Sequence, residues 1–246
     1  MKKKLSEEQE ILALKRAAKY RREFLGNVSH ELKTPIFNIQ GYIHTLIDGA
    51  LEDPNVNRKY LLRTSKSIDR LISIIEDLEI LANLESEELL MDVTDWDLID
   101  LVNELFEFFE IKSSEKNIKL SLDSNFDSFF VLADKEKINQ VLVNLISNSI
   151  KYGKEGGSII IKIEKKEKNS LIHVVDDGIG ISSENISRVF ERFYRVDKGR
   201  SRSQGGTGLG LAIVKHIIEA HEQKIDISSQ VNKGTAISFT LKNSIK

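Results

Sequence analysis

The fold of the first third of the chain follows from the stretch Phe24-Leu-Gly-Asn-Val-Ser-His-Glu-Leu-Lys-Thr-Pro-Ile36. In and before this stretch, mostly apolar residues recur at alternating spacings of three and four positions. This is the heptad pattern of a helix that packs along one seam. The seam consists of Ile11, Leu14, Ala18, Arg21, Leu25, Val28 and Leu32, with arginine as its one polar member. The pattern predicts a long helix that needs a helical partner.

A second run with the same spacing lies further along the chain and consists of Leu61, Thr64, Ile68, Leu71, Ile75, Leu78 and Ala82. Between the two runs, residues 48–55 contain a glycine and a proline, which mark a turn. Two antiparallel helices are therefore expected. Further apolar residues widen both faces, which favours a four-helix bundle made by two chains over a monomeric hairpin packed on the rest of the protein. These residues are Ile36, Ile39, Ile43, Leu62, Ile72 and Ile74.

His30 falls at heptad position f, which faces away from the seam, so packing does not explain it. An exposed imidazole offers a neutral nitrogen lone pair as a nucleophile. Glu31 follows directly and is placed to accept its proton, and the Thr34 hydroxyl lies one turn away on the same face. Pro35 removes a backbone donor, so a bend or a loosened helix is expected there. The other histidines lack such neighbours and are expected to be surface residues without a role: His44, His173, His216 and His221.

Composition excludes several classes of protein. The 246 residues include 36 basic and 38 acidic side chains and no cysteine, which argues against a general nucleic-acid binder, a disulfide framework and a thiolate metal site. The start, MKKKLSEEQE, lacks the apolar core of a signal peptide. The longest uncharged stretch, 34–47, is shorter than the roughly 20 residues of a membrane helix. The chain is expected to be cytosolic, or the cytosolic part of a membrane-anchored sensor.

The remaining two thirds alternate between strand-like and helical patterns. Of the 14 glycines, none lies between Gly49 and Gly153, which favours two domains. Asp95 or Asp97 is expected to cap a helix that runs from Leu98 to Phe109. Strands are expected at 118–122, 129–133, 158–163, 171–175, 224–228 and 235–241, with helices at 135–151 and 208–220. This order predicts an α/β sandwich, a sheet covered by helices on one face.

The glycine-rich segment 205–211 fits neither common nucleotide motif. It is not a GxxxxGK[ST] P-loop, and it puts leucine at the last position of a GxGxxG fingerprint without a preceding strand. It remains a glycine loop that opens a helix, whose backbone amides are able to receive phosphate oxygens. A flexible linker is the alternative.

Two other segments favour a nucleotide site. Asn144 and Asn148 share one helical face, and their amide oxygens suit a hydrated Mg²⁺ ion that also binds phosphates. Lys151 would reach a phosphate and Tyr152 would pack on the base. In Asp176-Asp-Gly-Ile-Gly180 the first carboxylate is placed to accept from an adenine amino group, while Gly178 and Gly180 let the backbone approach the ring.

Taken together, these segments resemble the short sequence motifs, called boxes, of known protein families. Residues 24–36 resemble the H-box of bacterial sensor histidine kinases, in the class whose dimerisation and phosphoacceptor domain is a helical hairpin. The other segments resemble the N, G1 and G2 boxes of the GHKL ATPase superfamily, and 190–195 resembles the F box of its histidine kinase branch. The likeness implies an α+β protein: a dimeric helical hairpin, then an α/β sandwich ATP-binding domain of GHKL (Bergerat) type. Residues 23–55 are most similar to phosphate-regulon type sensor kinases.

The resemblance also implies roles for single residues. Asn148 would be the main Mg²⁺ ligand with Asn144 assisting, Asp176 would select adenine, and Arg195 and Lys151 would stand near the phosphates. Residues 196–207 would form a lid. The loop residues that would receive the phosphates are Gly206, Thr207, Gly208, Leu209 and Gly210. Ser149 stands where this family usually has alanine, and no role is attached to it.

The implied activity is ATP-dependent phosphorylation of His30, with Glu31 as base, and transfer to an aspartate of a response regulator receiver domain. Thr34 completes an HExxT pattern that implies phosphatase activity toward the phosphorylated regulator. A GHKL conformational ATPase without a phosphoenzyme and a scaffold with a dead ATP site are the alternatives. The expected domains are a signalling helix at 1–19, a homodimerising hairpin at 20–88, a linker at 89–97 and the ATP-binding domain at 98–246.

Overall fold

The computed structural model describes residues 2–84, 91–196 and 206–244; in the first helix it describes the side chains of Leu12, Lys15, Ala18, Lys19 and those from Arg21 onward. The chain forms two compact units, Met1–Asp77 and Leu78–Lys246. The boundary between them lies inside the glycine-free stretch of the sequence.

The first unit is a helical hairpin. Helix α1 spans Lys2–Thr45 and continues as a short π-helix over Leu46–Ala50, and α2 spans Asn57–Leu84, past the end of the unit. Gly49 turns the chain between them with φ of 119°, in the left-handed region that glycine tolerates. The two helices predicted from the heptad runs are confirmed.

Contacts between the helices show that they run antiparallel. The Tyr42 and Tyr60 rings lie 5.9 Å apart between centroids, and Glu31, eleven residues earlier, contacts Arg70, ten residues later. Helix α1 passes through Pro35 without a break, so the proline removes one backbone donor without ending the helix.

The second unit is built on a seven-stranded sheet. Its strands are β1 Val93–Asp97, β2 Lys119–Asp123, β3 Phe130–Asp134, β4 Ser158–Lys165, β5 Asn169–Asp176, β6 Ile225–Gln230 and β7 Gly234–Asn243. The order is β1-β3-β7-β5-β4-β2, with β6 also paired to β7, and every pair is antiparallel except β2 with β4. The helices are α3 Leu98–Ser114, α4 Lys135–Tyr152, α5 Ser183–Ile186 and α6 Gly210–Ala220. The six strand-like runs of the sequence correspond to β2 through β7.

Burial alternates along the strands, as a sheet covered on one face requires. In β4, Ile159, Ile161 and Ile163 are buried while Ile160 and Lys162 are partly exposed. The buried side chains pack with those of α3, α4 and α6 in one hydrophobic core. The α/β sandwich is confirmed. No helix among the described residues is both long and apolar enough to span a membrane.

The linker expected at 89–97 contains strand β1, which is a correction. Val93–Asp97 pairs with β3, and the buried Trp96 indole donates to the Ala133 carbonyl at 2.8 Å. Asp97 caps α3 by accepting from the Ile99 amide at 2.9 Å, which decides between the two predicted caps.

Three of the four histidines expected on the surface instead have hydrogen-bond partners inside the second unit. His221 Nε2 accepts from the Asp134 amide at 3.0 Å, and its Nδ1 lies 2.8 Å from the Ile217 carbonyl. Through its two ring nitrogens, this imidazole joins the end of α6 to the start of α4. His173 pairs with Ser238 and His216 with Arg192, whereas His44 is exposed as expected.

Candidate functional site

His30 lies on the solvent face of α1. Its side chain is 66% exposed, while that of Glu31 is 13% exposed, and Glu31 Oε1 lies 3.8 Å from His30 Nδ1. The Thr34 hydroxyl donates to the His30 carbonyl at 3.2 Å, one turn along the helix. The structure therefore places all three predicted residues on one helical segment, with the histidine open to a large partner.

Arg70 belongs to this group, although the sequence pattern does not reveal it. Its Nη2 lies 2.8 Å from Glu31 Oε2, and both side chains are 13% exposed. A guanidinium and a carboxylate sheltered to this degree hold each other in one geometry. Arg70 therefore fixes the carboxylate beside His30 from the second helix. Its only sequence signal is a cation two residues after the seam residue Ile68.

Helix α4 carries the asparagines of the second unit. It begins at Asp134, whose carboxylate accepts from the Lys137 amide at 3.1 Å, and its apolar face is buried. Asn144 and Asn148 are both partly buried. A Cβ at Gly210 would lie 3.1 Å from Asn144 Oδ1, so the start of α6 packs directly against this amide.

The end of α4 and the glycine loop bring two cations together. Lys151 Nζ lies 5.1 Å from the centre of the Tyr152 ring. A Cβ at Gly206 would lie 2.5 Å from Lys151 Nζ and 3.8 Å from Arg195 Nη2. Two like charges around a backbone segment that opens a helix fit an anion, and a phosphate group has the chemistry that such a site favours.

The loop before α6 packs against residues 190–195, the segment that resembles the F box. Gly208, with φ of 80°, packs on the Phe193 backbone, and its carbonyl accepts from the Phe193 amide at 2.8 Å. The Leu209 amide donates to the Thr207 hydroxyl at 3.2 Å. Leu209 is fully buried, and its side chain belongs to the hydrophobic core of the unit. The predicted lid lies mostly at 197–205, outside the described residues.

Asp176 ends β5 and accepts three hydrogen bonds. Its Oδ1 accepts from the amides of Gly178 at 2.9 Å and Thr235 at 3.2 Å, and its Oδ2 accepts from the Ser149 hydroxyl at 3.1 Å. Burial raises the pKa of the Asp176 carboxyl above its ordinary value, and the three hydrogen bonds oppose this by stabilising the charged form. The carboxylate is held in place while one oxygen keeps accepting capacity.

Gly178 and Gly180 form the turn after Asp176 because side chains would not fit there. A Cβ at Gly178 would lie 2.6 Å from the Tyr152 carbonyl, and one at Gly180, whose φ is 66°, would lie 2.0 Å from the Gln230 carbonyl. The Ile179 amide donates to the Tyr152 carbonyl at 3.2 Å. This turn therefore packs against the end of α4, where Lys151 and Tyr152 lie.

Lys116 is a second residue that the sequence pattern does not reveal. Its ammonium donates to the Ile150 and Lys151 carbonyls, both at 2.8 Å, and so caps the C-terminus of α4. Cations are favourable at this end of a helix, and Lys151 itself would be drawn to the same carbonyls. Lys116 occupies these carbonyls, and the Lys151 ammonium lies near Tyr152 and Gly206.

Two family models match the chain. Residues 20–87 match the "His Kinase A (phospho-acceptor) domain", and residues 133–245 match the "Histidine kinase-, DNA gyrase B-, and HSP90-like ATPase". The first range contains His30 and Arg70, and the second contains Asn144, Asp176 and the glycine loop.

Relatives and solved structures agree with these models. The chain is 38% identical over 223 residues to the sensor histidine kinase WalK of Bacillus subtilis (strain 168), a match that covers 90% of the chain and 36% of WalK. The chain thus spans about a third of the length of the first curated relatives it matches.

The histidine kinase ThkA, solved in complex with the response regulator protein TrrA, superimposes with a TM-score of 0.74 and 28% identity over 96% of this chain and 67% of that one. The catalytic domain of ThkA superimposes with a TM-score of 0.56 and 30% identity over 62% of this chain and 97% of that domain. With a phosphoacceptor hairpin and a GHKL-type ATPase unit in this order, the chain belongs to the histidine kinase family.

Proposed function

We propose that the protein is an ATP-dependent protein-histidine kinase that phosphorylates its own His30 and passes the phosphoryl group to an aspartate of a response regulator. The observation that carries this proposal is the exposed His30 imidazole beside a sheltered carboxylate that Arg70 fixes. An imidazole that served packing would be buried, and an exposed one without a function would not need an oriented neighbour.

The second unit would bind the nucleotide. Asp176 would accept from the adenine amino group, and Lys151, Arg195 and the amides from Gly206 to Gly210 would receive the phosphates. Asn148, assisted by Asn144, would hold Mg²⁺ through amide oxygens, which suit a hydrated Mg²⁺ ion. When bound, the ion would neutralise charge on the transferring phosphoryl group.

The position of Glu31 favours one of the two histidine nitrogens as the nucleophile. Because Glu31 Oε1 lies on the Nδ1 side of the ring, Nδ1–H would donate to the carboxylate and Nε2 would be the nucleophile. Nε2 would form the bond to the γ-phosphorus as the bond to the β–γ bridging oxygen breaks, and ADP would leave. Glu31 would take the Nδ1 proton.

Thr34 supports a second, phosphatase activity toward the phosphorylated regulator. Its hydroxyl proton is directed to the His30 carbonyl, so the lone pairs of the oxygen remain to accept from a water molecule. Such a water would attack the phosphoaspartate of the regulator.

The apolar surface of the hairpin supports a homodimer. Large apolar side chains along both helices are exposed in the single chain, and a second hairpin would cover them as a four-helix bundle. They include Leu25, Ile36, Phe37, Leu61, Leu62, Ile68, Ile72 and Ile75. Because α1 is continuous from Lys2 past His30, residues 1–19 are proposed to carry a signal into this bundle, in the cytoplasmic transmitter part of a membrane-anchored sensor.

The comparisons do not support the narrower assignment to one type of sensor kinase. The reported relatives are WalK sensor kinases and lend no support to the expected phosphate-regulon type, so the proposal names only a two-component response regulator as partner. The phosphoacceptor model over residues 20–87 disfavours a conformational ATPase that forms no phosphoenzyme.

The test is incubation of the protein with ATP labelled at the γ-phosphate. We expect an acid-labile, base-stable phosphoenzyme, because a phosphoramidate hydrolyses in acid. His30→Ala should lose the label while it keeps nucleotide binding, and His44→Ala, at an exposed histidine of the same helix, should keep it. Label that persists in His30→Ala would contradict the assignment.

A further inference from the structure

The two oxygens of Asp176 differ in what they still accept. Oδ1 receives two backbone amides, from Gly178 and Thr235, and a carboxylate oxygen has about two lone-pair sites. Oδ2 receives one hydrogen bond, from the Ser149 hydroxyl. Oδ2 is therefore the atom with capacity left for a ligand donor.

Ser149 is placed to control that oxygen. It is 5% exposed on α4, one residue after Asn148, and its hydroxyl proton is directed at Asp176 Oδ2 at 3.1 Å. The torsion that turns a carboxylate plane is soft, so Oδ1 contacts alone leave the tilt of Oδ2 loosely defined. A third contact, from a different element, fixes the plane and directs the remaining lone pair of Oδ2.

We infer that Ser149 is a positioning residue for base recognition, since its hydroxyl holds Asp176 Oδ2 in the orientation that accepts the exocyclic amino group of adenine. This inference rests on the proposed function of Asp176 and deepens it. Ser149 acts through Asp176, so its contribution should exist only for a base that carries the amino group.

The experiment compares two nucleotides by calorimetry on the full chain with Mg²⁺: ADP, and purine riboside 5′-diphosphate, in which hydrogen replaces the 6-amino group. For Ser149→Ala we expect the Kd for ADP to rise roughly three- to tenfold, with the Kd for the purine analogue unchanged within about twofold. Ser149→Cys, whose thiol is a weak donor, should give an intermediate Kd for ADP.

Ser147→Ala is the matched control, because it removes a hydroxyl from another face of the same helix, and it should change neither Kd. Equal weakening of both nucleotides in Ser149→Ala would show a merely structural role, and an unchanged Kd for ADP would show no role; either result overturns the inference. A wild-type protein that binds both nucleotides equally would instead refute the proposed adenine contact of Asp176 itself.

Discussion

The hairpin and the ATPase unit hold their functional groups in opposite ways. His30 is 66% exposed and is supported by one sheltered neighbour, whereas Asp176 is partly buried and held by three hydrogen bonds, one each from a strand, a turn and a helix. The difference suits their proposed roles, because a phosphoacceptor must be reached by large partners while a base-reading group must not move. Substitutions at the hairpin site should therefore change the reaction alone, and those at the nucleotide site should change nucleotide binding.

The largest effect is expected for Asp176→Asn. The two backbone amides at Oδ1 require the oxygen of the new side chain, so its NH₂ group would take the place of Oδ2 and oppose the adenine amino group. Two opposed donors replace a charge-assisted hydrogen bond, so the Kd for ADP should rise roughly 100-fold or more. Calorimetry measures this, and a rise below about fivefold would contradict the assigned role.

Asp176→Asn should not lower stability at neutral pH. Since burial raises the pKa of Asp176 in the folded protein, the folded state binds this proton more tightly than the unfolded chain. The free energy of unfolding of the wild type therefore falls as pH rises from the ordinary pKa through the raised one, and the variant lacks this loss. Thermal unfolding at pH 7 should give a midpoint equal to or above that of the wild type.

The next effect is expected for Arg70→Ala. Loss of the guanidinium frees the Glu31 carboxylate to rotate away from His30, so the rate of autophosphorylation should fall roughly tenfold, less than the loss of a general base itself. The Kd for ADP should stay the same, since Arg70 lies outside the ATPase unit. Arg70→Lys keeps the charge without the planar fork and should recover part of the rate. A higher Kd for ADP in Arg70→Ala would contradict the expectation that the hairpin residue acts on the reaction and not on nucleotide binding.

Lys116→Met should give a smaller effect, on both nucleotide binding and stability. Two carbonyls at the end of α4 lose their cap, and Lys151 becomes free to turn back to them. We expect the Kd for ADP to rise roughly threefold, with a loss of about 1 kcal/mol in the free energy of unfolding. Lys119→Met, an equal change of charge at an exposed residue of β2, should change neither quantity.

The smallest effect is expected for Glu222→Gly. Glu222 has φ of 57° just after α6, where the Gln223 amide donates back to the Ile218 carbonyl, a helix end that favours glycine. Relief of the left-handed strain should raise the free energy of unfolding by about 1 kcal/mol and the thermal midpoint by about 2–4 °C, with catalysis unchanged. Glu219→Gly, inside α6, should lower the midpoint instead.

A strand can be predicted from the sequence where its apolar residues alternate over enough positions. Strands β4 and β5 are predicted to within a few residues because their apolar residues alternate over eight positions. Strand β1 is missed because, of its five residues, only Trp96 is buried, which leaves no alternation to detect. A five-residue strand with acidic neighbours has the composition of a linker.

The residues missed at the two sites share a different cause. Arg70 meets Glu31 across 39 positions, Lys116 meets Ile150 across 34, and Ser149 meets Asp176 across 27. The residues that would contact ligands lie within short sequence motifs, so their local spacing is enough to identify them. The groups that orient those residues come from elements that only the fold brings close.

Trp96 offers an optical consequence of this architecture. It is the only tryptophan of the chain, and its indole is buried and hydrogen-bonded in β1 of the second unit. Its fluorescence emission therefore reports the melting of the ATPase unit alone, while far-ultraviolet circular dichroism is weighted toward the long helices of the hairpin. Recorded on one sample, the two signals would show whether the units unfold together or separately, without any attached dye.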